Sequence, residues 1–598
     1  MSLSPLISNS SLGNRAAQVA RLRGESFDLL VVGGGITGAG VAWDAAAGGL
    51  RVGLIERADF ASGTSSRSSK LIHGGLRYLA QGQLRLTREA VAERGRLRRL
   101  APHLIELLAF AFPIFHGSAE RLQLTAGLWL YDAFAAGSGA PRHGWLDKRQ
   151  TLALAPGLRE DGLSGAFIYR DARTDDARLV VEVLRGAVAR GAAVANHVAM
   201  QGLLTAKGQV VGVAAEDHVA GAPFEIRARC VVLATGVWLD RLLPPTGGAR
   251  LRPAKGVHLF LRPEHVPQDT AFYLSTTGDG RLIFVIPWLG HTMIGTTDTI
   301  YNGDLAAPRA TADDVRYLLD GVNRAFPAAG LTPADVLSSQ AGLRPLIAAG
   351  DGSTGALSRE DRIFETDTGA IAIAGGKLTT FRKMAEKVVD LAAKRLGGSR
   401  GAGRSPTAHL PLGGFVQPLD APAYAAWRNA ALAAAPAAER MKRARLIERY
   451  GAHYPAVEAL LDDDPELGEP LVPGQPVLSA EALFAVRHEQ ASTIGDVLGQ
   501  RLRLALLTRD HGLSAAETVA NLLAREHGWD ERQRQLAVEQ YAVEIKQYAV
   551  PDLPPTPSPT RGEGSPALGH SGAPAFPLPG AGRGVKARSA EGRPLGGG

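Results

Sequence analysis

Three glycines near the start of the chain have the spacing of a phosphate-binding turn. Within residues 27–56, an apolar run leads into Gly33, Gly35 and Gly38, and an alanine-rich helix pattern follows them. The first glycine permits a tight turn, the second lets a pyrophosphate approach the backbone, and the third lets helix and strand pack closely. Glu56 ends the next strand pattern, about 20 residues on, where a carboxylate can hold a ribose hydroxyl. We therefore predict a dinucleotide site rather than a glycine-rich turn without a ligand.

A second turn of the same kind lies much later. The buried-strand pattern 371–374 is followed by Gly375-Gly376-Lys377 and then by the helix pattern 378–396. Backbone N–H groups at the start of a helix favour an anion. The segment that follows Glu56 is dense in Gly, Ser and Thr, which is typical of a ligand-contacting loop.

Composition limits the classes of protein that fit. The chain has 598 residues, 45% hydrophobic and 21% charged, which predicts a globular protein of two to four domains. The single cysteine, Cys230, excludes a disulfide framework and a cysteine-based metal site; we predict no metal. A net charge of +7 favours anionic partners, but no nucleic-acid recognition motif is present. We see neither a membrane-spanning run nor a secretory pattern and expect a cytoplasmic protein.

One region has two readings. Leucines and alanines recur at helical spacing over 84–108, and Arg85, Arg88, Arg94, Arg96, Arg98 and Arg99 crowd the other faces. The aromatic-rich segments 108–116 and 124–134 follow. These three segments form either a patch that lies on an anionic membrane surface or a helix packed on the core with a solvated arginine face.

The chain resembles the FAD-dependent glycerol-3-phosphate dehydrogenases of the respiratory, quinone-linked type, from about residue 27 to about residue 548. The matching stretches are VVGGGITGAG (31–40), TSSRSSKLIHGGLRYL (64–79), DDAR (175–178), VIPWLG (285–290), IGTTDT (294–299), AGLRPL (341–346) and GGKLTTFRKMAE (375–386). One departure is Phe381, where the family often has Tyr; the segment after Tyr548 is another, because it matches nothing in the family.

The resemblance implies an α/β fold of the glutathione-reductase-like FAD/NAD(P)-binding type, with a β-rich substrate domain and a C-terminal all-α domain. The expected boundaries are an N-terminal extension (1–26), an FAD-binding domain (27–400, mainly 27–83, 160–249 and 356–400) with an inserted substrate domain (mainly 84–159 and 250–355), a linker (401–418), a helical domain (419–549) and a disordered Pro/Gly-rich tail (550–598). The late return of the dinucleotide-binding frame also suits a flavin enzyme, in which the extended FAD meets a second domain.

The implied cofactor is FAD. The residues expected to bind it are Gly33, Gly35, Gly38, Glu56, Thr64, Ser65, Ser66, Ser69, Lys70, Thr235, Gly236, Gly376, Leu378 and Thr379.

The implied reaction takes a hydride from C2 of sn-glycerol 3-phosphate to flavin N5 and gives dihydroxyacetone phosphate. The dianionic phosphate group of this substrate needs cationic side chains around it, and arginine can contact a phosphate with two N–H groups at once. Expected substrate-binding residues are Arg77, Tyr78, Arg344, Arg359 and Lys377; expected catalytic residues are His73, as the base, with Arg344 and Lys377. His258 and His291 have weaker context for the base.

Other functions share many of these features. A glycerol-3-phosphate oxidase would pass the electrons to oxygen and make hydrogen peroxide, another flavoenzyme of this fold would oxidise amines or amino acids, and a flavin-binding scaffold would catalyse nothing. For the main reading we expect a membrane quinone and an anionic lipid surface as partners, a peripheral location on the inner face of the cytoplasmic membrane, and a homodimer as an open alternative to a monomer.

Overall fold

A computed structural model describes residues 11–76, 79, 82–115, 118–137, 139–243, 251–266, 269–275, 281–347, 361–398 and 405–552. The strands are β1 (Ser26–Val32), β2 (Val52–Ile55), β3 (Leu71–Ile72), β4 (Glu106–Phe115), β5 (Gly144–Asp147), β6 (Leu163–Arg173), β7 (Ala193–Ala195), β8 (Val198–Ala206), β9 (Gln209–Asp217), β10 (Ala222–Leu233), β11 (Leu251–Leu261), β12 (Thr270–Ser275), β13 (Leu282–Trp288), β14 (His291–Gly295), β15 (Thr299–Ile300), β16 (Val336–Ile347), β17 (Arg362–Glu365) and β18 (Ile371–Ala374).

The α-helices are α1 (Arg15–Gly24), α2 (Ile36–Ala47), α3 (Leu84–Leu100), α4 (Ser118–Ala135), α5 (Lys148–Leu154), α6 (Asp176–Val188), α7 (Ala312–Ala325), α8 (Phe381–Arg395), α9 (Ala421–Ala433), α10 (Arg440–Tyr450), α11 (Tyr454–Asp463), α12 (Ser479–His488), α13 (Leu504–Leu507), α14 (Ala516–His527) and α15 (Glu531–Glu544). None of the helices in these described parts is long and apolar enough to cross a membrane.

The first sheet has β1 at its centre. Its order is β17-β18-β10-β1-β2-β7, with β8 and β9 as an antiparallel extension of β10. The strands β18, β10, β1, β2 and β7 run parallel to one another. Leu29 and Val31 face a core with α2, α6 and α8, whereas Leu30 and Val32 face α1 and the β8–β10 strands. Because both faces of β1 are covered there, its second half, 29–32, is apolar at every position.

The second sheet is the β-rich layer. Its order is β15-β11-β14-β13-β12-β4-β6-β3, with β16 on β11 and β5 on β6. The helix α7 packs on this sheet through residues such as Val315 and Leu318. The strands β3 and β6 also belong to this sheet, and both lie in ranges that the sequence analysis assigned mainly to the FAD-binding domain, 27–83 and 160–249. The strand β6 joins this sheet because it pairs along its length with β4, and β3 joins it because it pairs with β6.

The described part of the aromatic segment, 108–115, does not form a surface patch. It lies within β4, where Phe110, Phe112 and Ile114 are buried. Arg94, expected on the solvated face of α3, is also buried and forms an ion pair with Asp171. The α-helices α9–α15 form the C-terminal domain, which shares one core with α3, α4 and β4.

Candidate functional site

A cavity of about 670 Å³ opens at the carboxyl ends of the parallel strands. Its wall includes Val32 at the end of β1, Glu56 after β2, Ala234 after β10 and Gly375 after β18. Ligands of open α/β sheets bind at this edge, because the loops from adjacent strands diverge there. The two glycine turns predicted from the sequence therefore meet in one cavity.

The first glycine turn brings helix α2 against β1. A Cβ atom on Gly38 would lie 1.9 Å from the carbonyl oxygen of Gly33, so no larger residue fits without moving the backbone. The N-terminus of α2 points to the cavity, whose wall includes Gly35 and Ile36. Ser65 Oγ accepts a hydrogen bond from the Ile36 backbone N–H at 2.9 Å. An anion near these N–H groups would gain hydrogen bonds and a favourable helix dipole.

The carboxylate of Glu56 lies at the same end. It accepts backbone hydrogen bonds from Gly34 at 2.7 Å and from Ala58 at 3.0 Å. Burial raises the pKa of Glu56, and the two N–H donors oppose that shift. The two bonds fix the carboxyl group in the wall of the cavity, in the position expected for an acceptor of a ribose hydroxyl.

At the other end, Arg344 is held by the second sheet. Its guanidinium group donates to Asp298 Oδ1 at 3.1 Å, to Thr296 Oγ1 at 3.1 Å and to the Thr297 carbonyl at 3.2 Å. A Cβ on Gly256 would lie 2.4 Å from Arg344 Nη2, so β11 leaves room for the group only because this residue is glycine. The side chain is 23% exposed, and its neighbour Pro345 lines the cavity.

The loop that carries His73 is tied to the second glycine turn. Thr379 Oγ1 accepts from the His73 backbone N–H at 3.0 Å and donates to the His73 carbonyl at 3.1 Å. Lys377 and Leu378, just before Thr379, line the cavity. On the other side, Thr64 Oγ1 donates to the carbonyl of Leu343, next to Arg344, at 2.7 Å. These bonds tie the segments that carry His73 and Arg344 to the cavity wall, although neither of these two residues lines the cavity itself.

Comparison with known proteins agrees with this geometry. Residues 28–382 match the family model described as FAD dependent oxidoreductase, and residues 405–534 match the C-terminal domain of alpha-glycerophosphate oxidase. Glycerol-3-phosphate dehydrogenase 2 of Mycobacterium tuberculosis is 40% identical over 522 residues, which cover 86% of this chain and 87% of that protein. The aerobic glycerol-3-phosphate dehydrogenase of Bacillus subtilis is 37% identical over 521 residues, covering 85% and 92%.

A solved structure is similar over nearly the whole chain. The glycerol-3-phosphate dehydrogenase from Bacillus halodurans complexed with FAD has a TM-score of 0.74 and 34% identity, covering 90% of this chain and 98% of that one. This chain belongs to the FAD-dependent glycerol-3-phosphate dehydrogenase family. It is an FAD-dependent oxidoreductase, and the expected fold, family and cofactor are confirmed.

The residues of the cavity fit FAD, the family's cofactor. The close contact at Gly38 and the carboxyl of Glu56, fixed by two backbone N–H groups, provide a cradle for a pyrophosphate and a ribose. Of the residues predicted to bind the cofactor, those that line the cavity are Gly33, Gly35, Glu56, Thr64, Ser65, Thr235, Gly236, Gly376 and Leu378. Their roles in binding stay predictions.

The remaining predicted cofactor residues have other partners. Ser66 is buried and its carbonyl accepts from Lys70 Nζ at 3.0 Å. Ser69 Oγ lies 2.9 Å from His258 Nε2. Burial lowers the pKa of Lys70 to about 8 despite its ion pair with Asp176 at 3.1 Å. These three residues therefore bond to other parts of the protein and do not line the cavity.

Several cavity residues were not singled out from the sequence. Arg57 lies over the Trp238 ring at 4.2 Å, and Met200, Gln201 and His218 line the same part of the wall. Met200 and Gln201 reach the wall because β8 and β9 extend the sheet from β10, and no local motif marks them.

His258 lies on β11, where its Nε2 contacts Ser69 Oγ. Burial, together with the nearby Lys70 and Arg344 charges, holds its pKa well below the usual range of histidine. Its imidazole is therefore neutral at physiological pH. Arg77, Tyr78 and Arg359 lie outside the described residues, and their predicted contacts with substrate stay predictions. Phe381 is fully buried beside Gly40, so the hydroxyl that the family often has here would point into the core.

Proposed function

We propose that this protein oxidises sn-glycerol 3-phosphate to dihydroxyacetone phosphate and passes the electrons to a membrane quinone. The observation that carries the proposal is the guanidinium group of Arg344, held in one orientation by Asp298 and Thr296 beside the cavity. Arginine presents paired N–H donors to an oxyanion, and its fixed orientation lowers the entropy cost of binding.

The substrate would lie between Arg344 and Lys377, with its C2 hydroxyl towards His73. Arg77, Tyr78 and Arg359 would add contacts to the phosphate. His73 would take the proton of the C2 hydroxyl, because imidazole has the reference pKa best suited to proton transfer near neutral pH. Arg344 would stabilise the negative charge that develops on the C2 oxygen. Bound FAD would supply the two-electron acceptor at N5.

An exposed apolar surface on α4 supports the choice of a membrane quinone as the electron acceptor. Leu122 is 72% exposed, Trp129 is 56% exposed and Leu130 is 37% exposed, and Leu84 at the start of α3 is 47% exposed. Arg85, Arg88 and Arg99 are exposed on α3. Apolar and basic side chains together favour docking on an anionic bilayer. This surface would place the protein on the inner face of the cytoplasmic membrane, where quinone is available.

The test is anaerobic mixing of the purified holoenzyme with a small panel: glycerol 3-phosphate, glycerol and several amino acids. We expect glycerol 3-phosphate alone to remove the visible absorbance of the oxidised flavin. Bleaching by an amino acid instead would refute the proposed substrate. In a second step, reduction of a short-chain quinone is compared with peroxide formation under air, and peroxide as the dominant product would favour the oxidase alternative.

A further inference from the structure

Two arginines of the C-terminal domain reach the segment that lines the FAD cavity. Arg501 ends the π-helix Asp496–Arg501, and Arg503 precedes α13 with φ of +64°. Their side chains are each only 1% exposed. A buried guanidinium is costly unless it is paired and hydrogen-bonded, and a left-handed residue other than glycine is uncommon. The groups that pair with these two side chains therefore show which part of the protein the turn 501–503 holds in place.

Arg501 holds the start of the cavity-lining segment. It pairs with Asp59 through both carboxylate oxygens, with Nη2 at 2.8 Å from Oδ1, and it donates to the Glu489 carbonyl at 2.8 Å. Asp59 also accepts from Asn196 Nδ2 at 2.9 Å. Because Ala58 and Ala61 on either side of Asp59 line the cavity, the ion pair sets the position of this wall.

Arg503 holds the end of the same segment. Its Nη2 donates to the Ser66 carbonyl at 2.8 Å and to Asp176 Oδ1 at 3.2 Å. Asp176 in turn accepts from the Ser68 backbone N–H at 3.1 Å and from Ser68 Oγ at 2.7 Å. Ser68 lines the cavity, and Lys70 Nζ shares both acceptors of Arg503.

We propose that Arg501 and Arg503 are positioning residues for FAD, and that the C-terminal domain thereby completes the cofactor site. Two arginines on one turn hold both ends of the segment 57–70. Between those ends, Thr64 and Ser65 face the cavity, and Ser65 bonds the first turn of α2. The domain thus acts on the cofactor without contacting it.

The experiment compares Arg503→Met, Arg503→Lys and a matched control, Arg445→Met, in the full-length holoenzyme. Arg445 forms an ion pair with the buried Glu481 wholly within the C-terminal domain. For each variant, the dissociation constant of FAD is measured by reconstituting the apoprotein, the visible spectrum of the bound flavin is recorded, and the free energy of unfolding of the apoprotein is measured.

We expect Arg503→Met to raise the dissociation constant of FAD about tenfold or more, which corresponds to about 1.4 kcal/mol, and to shift the flavin spectrum. Arg503→Lys should recover part of the loss, because an ammonium can bond one of the two acceptors but not bridge them as a fork. Arg445→Met should lower the free energy of unfolding without changing the dissociation constant of FAD or the flavin spectrum.

Equal loss of FAD affinity in Arg503→Met and Arg445→Met at matched stability would overturn the proposal, as would unchanged affinity in Arg503→Met. If Arg503→Met does not accumulate as folded protein, the dissociation constant of FAD measured for Arg503→Lys tests the proposal instead. Weaker FAD binding than in the Arg445→Met control would then support the positioning role, and wild-type binding would refute it.

Discussion

Arg344 Nη1 on β16 lies 3.1 Å from Asp298 Oδ1, which belongs to the loop that follows β14. The pair keeps the guanidinium group oriented beside the cavity, and the Asp298 carboxylate compensates part of its positive charge. An incoming phosphate can therefore meet a fixed cation rather than a mobile one.

Replacement of Arg344 by Met is expected to raise the KM for glycerol 3-phosphate by roughly ten- to hundredfold, since a hydrogen bond to a charged group is worth about 1.5–3 kcal/mol. Asp298→Asn should have a smaller effect, because it loosens the guanidinium but leaves its charge. Steady-state kinetics with an artificial acceptor measures both. Arg316→Met is the control, because Arg316 pairs with Asp313 on the surface; an Arg344→Met enzyme with the same KM as this control would refute a substrate role.

Gly38→Ala is expected to abolish FAD binding. The added Cβ would meet the carbonyl oxygen of Gly33 at 1.9 Å and push α2 away from β1. The measurement is the ratio of bound flavin to protein after purification. Gly24→Ala is the matched control, because its added Cβ would have no heavy atom within 4 Å. Full flavin content in Gly38→Ala would show that the turn can relax without losing the cofactor.

His73→Asn is expected to lower kcat by about 10²- to 10⁴-fold, the range for loss of a general base, and to remove the acidic limb of the pH profile of kcat. Thr379→Val should lower kcat less while keeping that limb, because it frees the His73 backbone but leaves the imidazole. The exposed His409→Asn serves as the control. An unchanged acidic limb in His73→Asn would assign the base elsewhere.

The contact between His197 and Asp496 should make stability depend on pH. Burial alone would lower the pKa of His197, but Asp496 at 2.9 Å outweighs burial and raises it to about 9. A raised pKa in the folded state means that the stabilisation is complete below the unfolded value of about 6.5 and is lost as the pH rises to about 9. The expected loss is on the order of 3 kcal/mol.

Denaturant unfolding of wild type and His197→Gln across this range measures the effect. The wild type should lose stability relative to the variant as the pH rises, because only the wild type has the proton to lose. Parallel curves for the two proteins would show that His197 is not charged in the folded state.

Membrane docking is expected to depend on Trp129 and Leu122. Their replacement by Ser should reduce flotation with liposomes that contain anionic lipid, and added salt should weaken flotation of the wild type. Val416→Ser is the control, since Val416 is 97% exposed in the segment between α8 and α9. Flotation that is the same in all three variants would place the lipid contact on another surface.

The sequence by itself predicted the family, the cofactor and most of the cavity wall around the two glycine turns. Gly33, Gly38 and Glu56 could be read locally, because turn geometry, close packing and ribose binding act within one strand–helix–strand unit. The late return of the dinucleotide-binding frame was also predicted, and β10 does pair in parallel with β1.

Only the tertiary structure decided which charged side chains face a ligand and which face each other. Lys70 lies in the motif of the flavin-side loop, yet its ammonium is buried against Asp176. Arg94 has the spacing of a surface arginine, yet it pairs with Asp171 on β6. Arg503 is distant in sequence from Ser66, and it reaches that carbonyl because the C-terminal domain packs behind the loop. Such pairings depend on contacts between segments far apart in the chain, and local patterns carry no information about them.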